Sequence, residues 1–220
     1  MALELLLDSA DIQVWNQWMQ SGLFTGITTN PTLLKKAGCD CSFESLSCLA
    51  ERAEQLGSRV LHLQSWGDTA QEMTDNGKRL AGFSTASLKI YVKLPVTLAG
   101  SAAAKALVGE GVEVTFTACF EVEQVLIAAS IGASYIAPYL GRINDQGRDG
   151  YSELLAMQAC LKGIDSNCRL LVASIRDKKV LPRLAAAGLQ TFTITGELAE
   201  NLFNVRATLE ASSRFEEDAH

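Results

Sequence analysis

"LKIYVKLPVT", residues 88–97, alternates side-chain character and then stops at a proline. Ile90, Val92 and Leu94 take one parity, Lys89, Tyr91 and Lys93 take the other, and Pro95 ends the run. A period of two is the pattern of a β-strand. Lys93 is the anomaly in it. Desolvating an ammonium costs several kcal/mol unless it is paired or loses its proton, so lysine is rarely found inside an apolar strand.

Runs of this length recur along the chain. They are LELLL (3–7), TGIT (25–28), RVLHLQ (59–64), LKIYVKL (88–94), EVTFT (113–117), SYIAP (134–138), RLLVAS (169–174) and QTFTIT (190–195), eight in all. Helix signals fill the intervals. Ser9 is placed to cap a helix carrying Ile12, Trp15, Trp18 and Met19. Asn30-Pro31 is a cap followed by a first-turn proline, with Gly38 as the stop. Phe43, Leu46, Leu49, Ala50 and Ala53 line a further helix closed by Gly57, and Thr69 to Glu72 reads as a capping box. Alanine-rich helices are predicted over 98–109, 121–131, 152–162, 178–187 and 197–210, with Pro182 delaying the fourth to about Leu181.

Eight strands alternating with helices point to an α/β fold, a single (β/α)8 TIM barrel over residues 1–220 with a helical tail from about 197. A doubly wound sheet competes, but no GxGxxG or Walker-type loop follows the first strand. The chain's 220 residues, 48% of them hydrophobic, suffice for one large core. Its net charge of -6 supplies no basic stripe for nucleic acid. MALELLLDSAD lacks the basic segment and apolar length of a signal peptide or membrane span. The six cysteines therefore read as reduced thiols in the cytoplasm. Cys39, Cys41 and Cys48 have no histidine nearby for zinc, and no metal is expected. With His62 and His220 the only histidines, a Ser-His-Asp triad or three-histidine metal site is close to excluded by count.

In such a barrel the chemistry sits where the strands end. Those ends carry Asp8, Thr28 with Asn30, Gln64, Lys93, Thr117, Tyr139, Ser174 and Thr195. Gln64 shares its face with His62 and Val60, Thr117 with Thr115, and Ser174 with Val172 and Leu170. Polar residues also bracket ordinary turns, and strand starts here carry Arg59, Glu113 and Arg169. Lys93 stands apart because its position costs energy. It is either a lysine snorkelling from the rim or paired with Asp8, or else a nucleophile. A desolvated amine is partly neutral and can form a Schiff base with a carbonyl substrate, whose protonated imine is an electron sink for carbon–carbon cleavage. Asp8, Gln64, Thr117 and Tyr139 are placed to orient water or move the proton. Arg142 in APYLGRINDQGRDG, with Ser174 and Arg176, suggests an anion site; Arg148 lies farther from its strand end. A pyridoxal-phosphate barrel also uses a lysine imine, but only the lysine and the anion site favour it, and no cofactor is expected.

LLLDSAD, GITTNPTLL, IYVKLPVT, YIAPYLGRIND and LLVASIR, in order and spacing, resemble the small transaldolase and fructose-6-phosphate aldolase group over nearly the whole chain. The resemblance implies a class I aldolase with Lys93 as the Schiff-base lysine and Asp8, Thr28 and Asn30 around the ketose. It implies that Arg142, Ser174 and Arg176 hold the substrate phosphate. It also implies a homo-oligomer built from rings, often decamers, with small-molecule sugar phosphates as partners. Small transaldolases tend to carry Glu where this chain has Gln64 and Phe where it has Tyr139; the aldolases resemble this chain at both. That favours cleavage of fructose 6-phosphate to dihydroxyacetone and glyceraldehyde 3-phosphate. Transaldolase action is the alternative, and a non-catalytic sugar-phosphate-binding barrel the alternative of another class. The chain departs from the family pattern at His62 with QSWGD, at VTFTACF, and at RFEEDAH, which ends before the family's usual last helix.

Overall fold

A computed structural model describes residues 3–220; Met1 and Ala2, part of the domain read from the sequence, lie outside the described residues. Eight parallel strands, β1 (Glu4–Asp8), β2 (Gly26–Thr28), β3 (Val60–Gln64), β4 (Lys89–Pro95), β5 (Val114–Cys119), β6 (Tyr135–Pro138), β7 (Arg169–Val172) and β8 (Thr191–Ile194), close in sequential order. The crossovers are α1 (Ile12–Met19), α2 (Pro31–Lys36) with α3 (Phe43–Gln55), α4 (Ala70–Ala81), α5 (Leu98–Gly109), α6 (Gln124–Ile131), α7 (Leu140–Asp145) with α8 (Gly150–Gly163), and α9 (Val180–Ala186). After β8 come α10 (Gly196–Phe203) and α11 (Arg206–Ala219). The barrel expected from the alternating pattern is the one observed.

The strand period divides the core in two. Ile90, Val92 and Leu94 join the large apolar layer between barrel and helices, with Leu61, Leu63, Phe116 and Ile136. Leu6, Tyr135, Ala137 and Leu171 form a smaller cluster inside the barrel, with Val60 and Tyr91 against it. His62 lies there too, 1% exposed, its ring stacked on Tyr91 at 4.8 Å and tilted against Tyr135 at 5.5 Å. The N-terminal mouth is charged: Arg169 Nη1 donates to Glu4 at 2.9 Å, and Lys89 pairs with Glu113. Lys89 and Lys93, four residues apart on one parity, thus occupy opposite ends of the barrel.

Four local readings need correction. Asp11, not Ser9, caps α1: its side chain accepts from Gln13 N–H, while Ser9 Oγ accepts from Asp11 N–H. The helix expected over 197–210 breaks at Asn204, whose ψ of 72° leaves the helical range, giving α10 and α11. The loop after β6 contains the short helix α7, which carries Arg142. Pro182 sits in the first turn of α9, where no earlier carbonyl needs its missing N–H, so the helix starts at Val180.

Candidate active site

At the C-terminal mouth lies a cavity of about 240 Å³. Lys93 forms part of its floor, with Asp8, Thr28 and Asn30 on one side and Tyr139, Arg142, Ser174 and Arg176 on the other. Most of the polar residues expected from the strand ends are thereby brought together. Gln64 and Thr117 are not in the lining. Gln64 is paired in register with Lys93, but its amide turns to the Ser65 carbonyl at 3.4 Å.

Lys93 is 5% exposed. Nζ donates to the Thr29 carbonyl at 2.6 Å, and among the described residues it makes no salt bridge, so the pairing with Asp8 considered from the sequence is absent. Thr29 is itself fixed, its N–H and hydroxyl both donating to the His62 carbonyl at 3.1 and 3.0 Å. Burial lowers the Lys93 pKa from the usual 10.5, against a smaller upward pull from Asp8. His62, one inward-facing position nearer the N-terminal mouth than Gln64, has its Nδ1 3.0 Å from Thr115 Oγ1. Burial, reinforced by Lys93, holds its pKa well below 6.5, so it stays neutral.

Asp8 ends β1, and the turn behind it is pinned by Trp15, whose Nε1 donates to Ser9 O at 2.9 Å. Thr28 Oγ1 donates to Asp8 Oδ1 at 2.7 Å and lies 2.6 Å from Thr193 Oγ1. Burial raises the Asp8 pKa above 3.8, opposed by Lys93, by the Thr28 hydrogen bond and by Arg142. The amine and the carboxyl at the floor are thus both pushed toward neutrality.

Tyr139 caps α7, and its hydroxyl is 2.6 Å from Thr117 Oγ1. A bulge aims Thr117: β5 and β6 keep register at Phe116↔Ile136, then skip to Cys119↔Pro138, with Ala118 at φ 57°. Ser174 shares sequence parity with the outward-facing Val172 and Leu170. It reaches the cavity because β7 ends at Val172 and Ser174 takes φ 58°. Arg142 lies 4.9 Å over the Tyr139 ring and has no salt bridge among the described residues, whereas Arg176 pairs with Asp145. Arg148 is tied to Glu121 and Glu153.

Sequence reading missed Thr32, Leu33 and Lys36 of α2, and Thr193 of β8, all in the lining. Thr193 shares parity with Thr195, which was legible at its strand end. Lys36 had a weaker signal: α2 starts at the rim residue Asn30, so its exposed side borders the mouth.

Comparison with known proteins identifies the family. Residues 5–220 match the family model described as Transaldolase/Fructose-6-phosphate aldolase. The "Probable transaldolase" of Phenylobacterium zucineum (strain HLK1) is 31% identical over 213 residues, 97% of this chain and 94% of that protein. The "Probable transaldolase" of Caulobacter sp. (strain K31) is 30% identical over 216 residues, 98% and 96% of the two chains. The solved structure of 2,3-dimethylmalate lyase, a PEP mutase/isocitrate lyase superfamily member, superposes with a TM-score of 0.58 at 11% identity. It covers 100% of this chain and 84% of that one, a likeness of fold alone. With the full-length family match and the lysine-floored cavity in one barrel, the chain is an enzyme belonging to the transaldolase/fructose-6-phosphate aldolase family.

Proposed function

We propose that the enzyme is a class I aldolase that cleaves fructose 6-phosphate reversibly through a Schiff base on Lys93. The observation that carries this reading is an amine 5% exposed at the floor of the cavity, with burial favouring its neutral form. Neutral Nζ attacks C2 of the ketose, the carbinolamine hydroxyl takes up one proton from solvent and leaves as water, and a protonated imine remains. Asp8, the one acidic side chain of the cavity lining among the described residues, takes the C4 hydroxyl proton. The C3–C4 bond then breaks, its electrons pass into the imine as an enamine, and glyceraldehyde 3-phosphate leaves. Tyr139, hydrogen-bonded to Thr117, protonates C3 and recovers a proton from Asp8 through water, and hydrolysis of the imine releases dihydroxyacetone with one proton to solvent. Thr28 and Asn30 hold the ketose hydroxyls, and Gln64 orients water from beside Lys93. Arg142, Ser174 and Arg176 hold the phosphate.

Transaldolase action is the second reading, favoured by the names of the relatives. In it the enamine meets erythrose 4-phosphate instead of a proton. Borohydride reduction with fructose 6-phosphate, followed by peptide mass mapping, is expected to add mass at Lys93, and its absence there would defeat both readings. Turnover without erythrose 4-phosphate is expected; strict dependence on it selects the transferase.

The same reading makes the protein a cytoplasmic homo-oligomer built from rings. Its six cysteines are free thiols, consistent with a reducing compartment. Helix α11 buries none of its residues, and Phe203, Val205, Leu209 and Phe215 are exposed along the tail, apolar surface that a second copy would cover. Sedimentation as a monomer at micromolar concentration would contradict this.

A further inference from the structure

Arg176 lines the cavity, yet its terminal nitrogens are already engaged. Nη1 and Nη2 donate to Asp145 Oδ1 and Oδ2, each at 2.6 Å. A two-pronged pair fixes the plane of the guanidinium as well as its place. Asp145 is the last residue of α7, the helix that also supplies Arg142 and rests Gly141 on the Ser174 turn. Gly141 N–H donates to Ser174 O at 2.8 Å. A Cβ on Gly141 would lie 2.4 Å from that oxygen, 3.0 Å from Ser174 Oγ and 2.9 Å from Arg176 Nε. The Nε edge of Arg176 and the Ser174 hydroxyl therefore lie together, packed close against Gly141, while Asp145 holds the other end of the guanidinium. Five N–H groups make this arithmetic possible: Asp145 takes one hydrogen from each Nη, leaving Nε–H and the second Nη hydrogens for an oxyanion.

We propose that Asp145 is a positioning residue: by holding the Nη end of Arg176, it presents the Nε edge, beside Ser174 Oγ, to the substrate phosphate and so sets the preference for phosphorylated over unphosphorylated sugars. This rests on the phosphate end of the proposed function. The two arginines divide the work. Arg142, without a salt bridge among the described residues, contributes charge; Arg176, already neutralised, contributes geometry. The Arg176 and Asp145 side chains are 60% and 54% exposed, so their pair adds little to folding and its value lies in orientation.

Asp145→Asn keeps the shape of the side chain and removes its charge. Inorganic phosphate titrated calorimetrically into the wild type and the variant reads the site without turnover. The expected result is a Kd weakened about fivefold in the variant, the cost of ordering one freed arginine. The melting temperature stays within about 1 °C, and Asp145→Glu recovers part of the affinity. In steady-state synthesis, kcat/KM for glyceraldehyde 3-phosphate falls by a similar factor through KM, while that for unphosphorylated glyceraldehyde does not move. Equal or tighter phosphate binding in the Asn variant overturns the proposal, as does an equal loss with both aldehydes or a wild type that binds no phosphate. A fivefold effect on phosphate binding alongside a failed Lys93 trap would sink the aldol chemistry and leave this inference standing.

Discussion

Lys93→Met separates two consequences of placing an amine on the cavity floor. The substitution removes the hydrogen bond to Thr29 O at 2.6 Å, which with a charged donor is worth about 1.5–3 kcal/mol. It also removes a cation that is 5% exposed, and taking an ion out of water costs several kcal/mol. Each unit by which burial lowers the amine's pKa costs about 1.4 kcal/mol of folded stability at any pH below the lowered value. Asp8 loses the attraction of Lys93 and protonates more readily, which limits the gain. The variant is expected to be more stable than wild type by about 1–2 kcal/mol at pH 7, or roughly 2–8 °C in Tm. The gap has a definite pH dependence. Between the lowered pKa and 10.5 the unfolded wild type binds more protons than the folded one, so wild-type stability rises with pH and the gap closes. Thermal melts from pH 7 to 10, together with borohydride trapping, check both halves; turnover and the adduct should both vanish. A variant that melts lower at pH 7 with a pH-independent gap, or that still forms the adduct, refutes the reasoning.

Tyr139→Phe removes the hydroxyl that meets Thr117 at 2.6 Å and should lower kcat by about 10²–10⁴ with KM little changed, measurable by steady-state kinetics. The pH profile of kcat/KM should have an alkaline-side rise centred below 10.5, because the reactive neutral amine accumulates as pH climbs through a lowered pKa. Its acid-side limb should lie above 3.8, because the Asp8 carboxyl is raised; limbs at the unperturbed values would contradict the burial argument. Gly141→Ala forces a methyl group to within 2.4 Å of Ser174 O and should cost about 1–3 kcal/mol by denaturant titration while weakening phosphate binding.

The barrel was legible because its signal is repetitive. Each strand run predicted from the sequence overlaps an observed strand, and caps such as Asn30 and Thr69 act through their own side chains. Ser9 misled because Asp11, two residues later, has the same capping chemistry; only the chain's path chooses between them. In the candidate site, residues whose side chains follow strand parity were found: Asp8, Thr28 and Lys93. Ser174 reached the cavity by a left-handed backbone turn that parity does not encode, and α7 hides in a six-residue helix too short for periodicity. Lys36 and the Asp145–Arg176 pair depend on how α2 and α7 lie across the rim, a tertiary fact with no local signature.

The packed rings of His62, Tyr91 and Tyr135 have a kinetic consequence. They cross the barrel interior between Lys93 and the charged N-terminal mouth and, among the described residues, fill the barrel behind the cavity floor. For the proposed reaction this means that ketose, water and both aldehydes use one doorway. In the proposed chemistry the first aldehyde has to vacate the mouth before a second can enter, which imposes a ping-pong order by architecture. Lyase and transferase outcomes then become a race between the proton held at Tyr139 and an aldehyde arriving through that doorway, run on the same enamine.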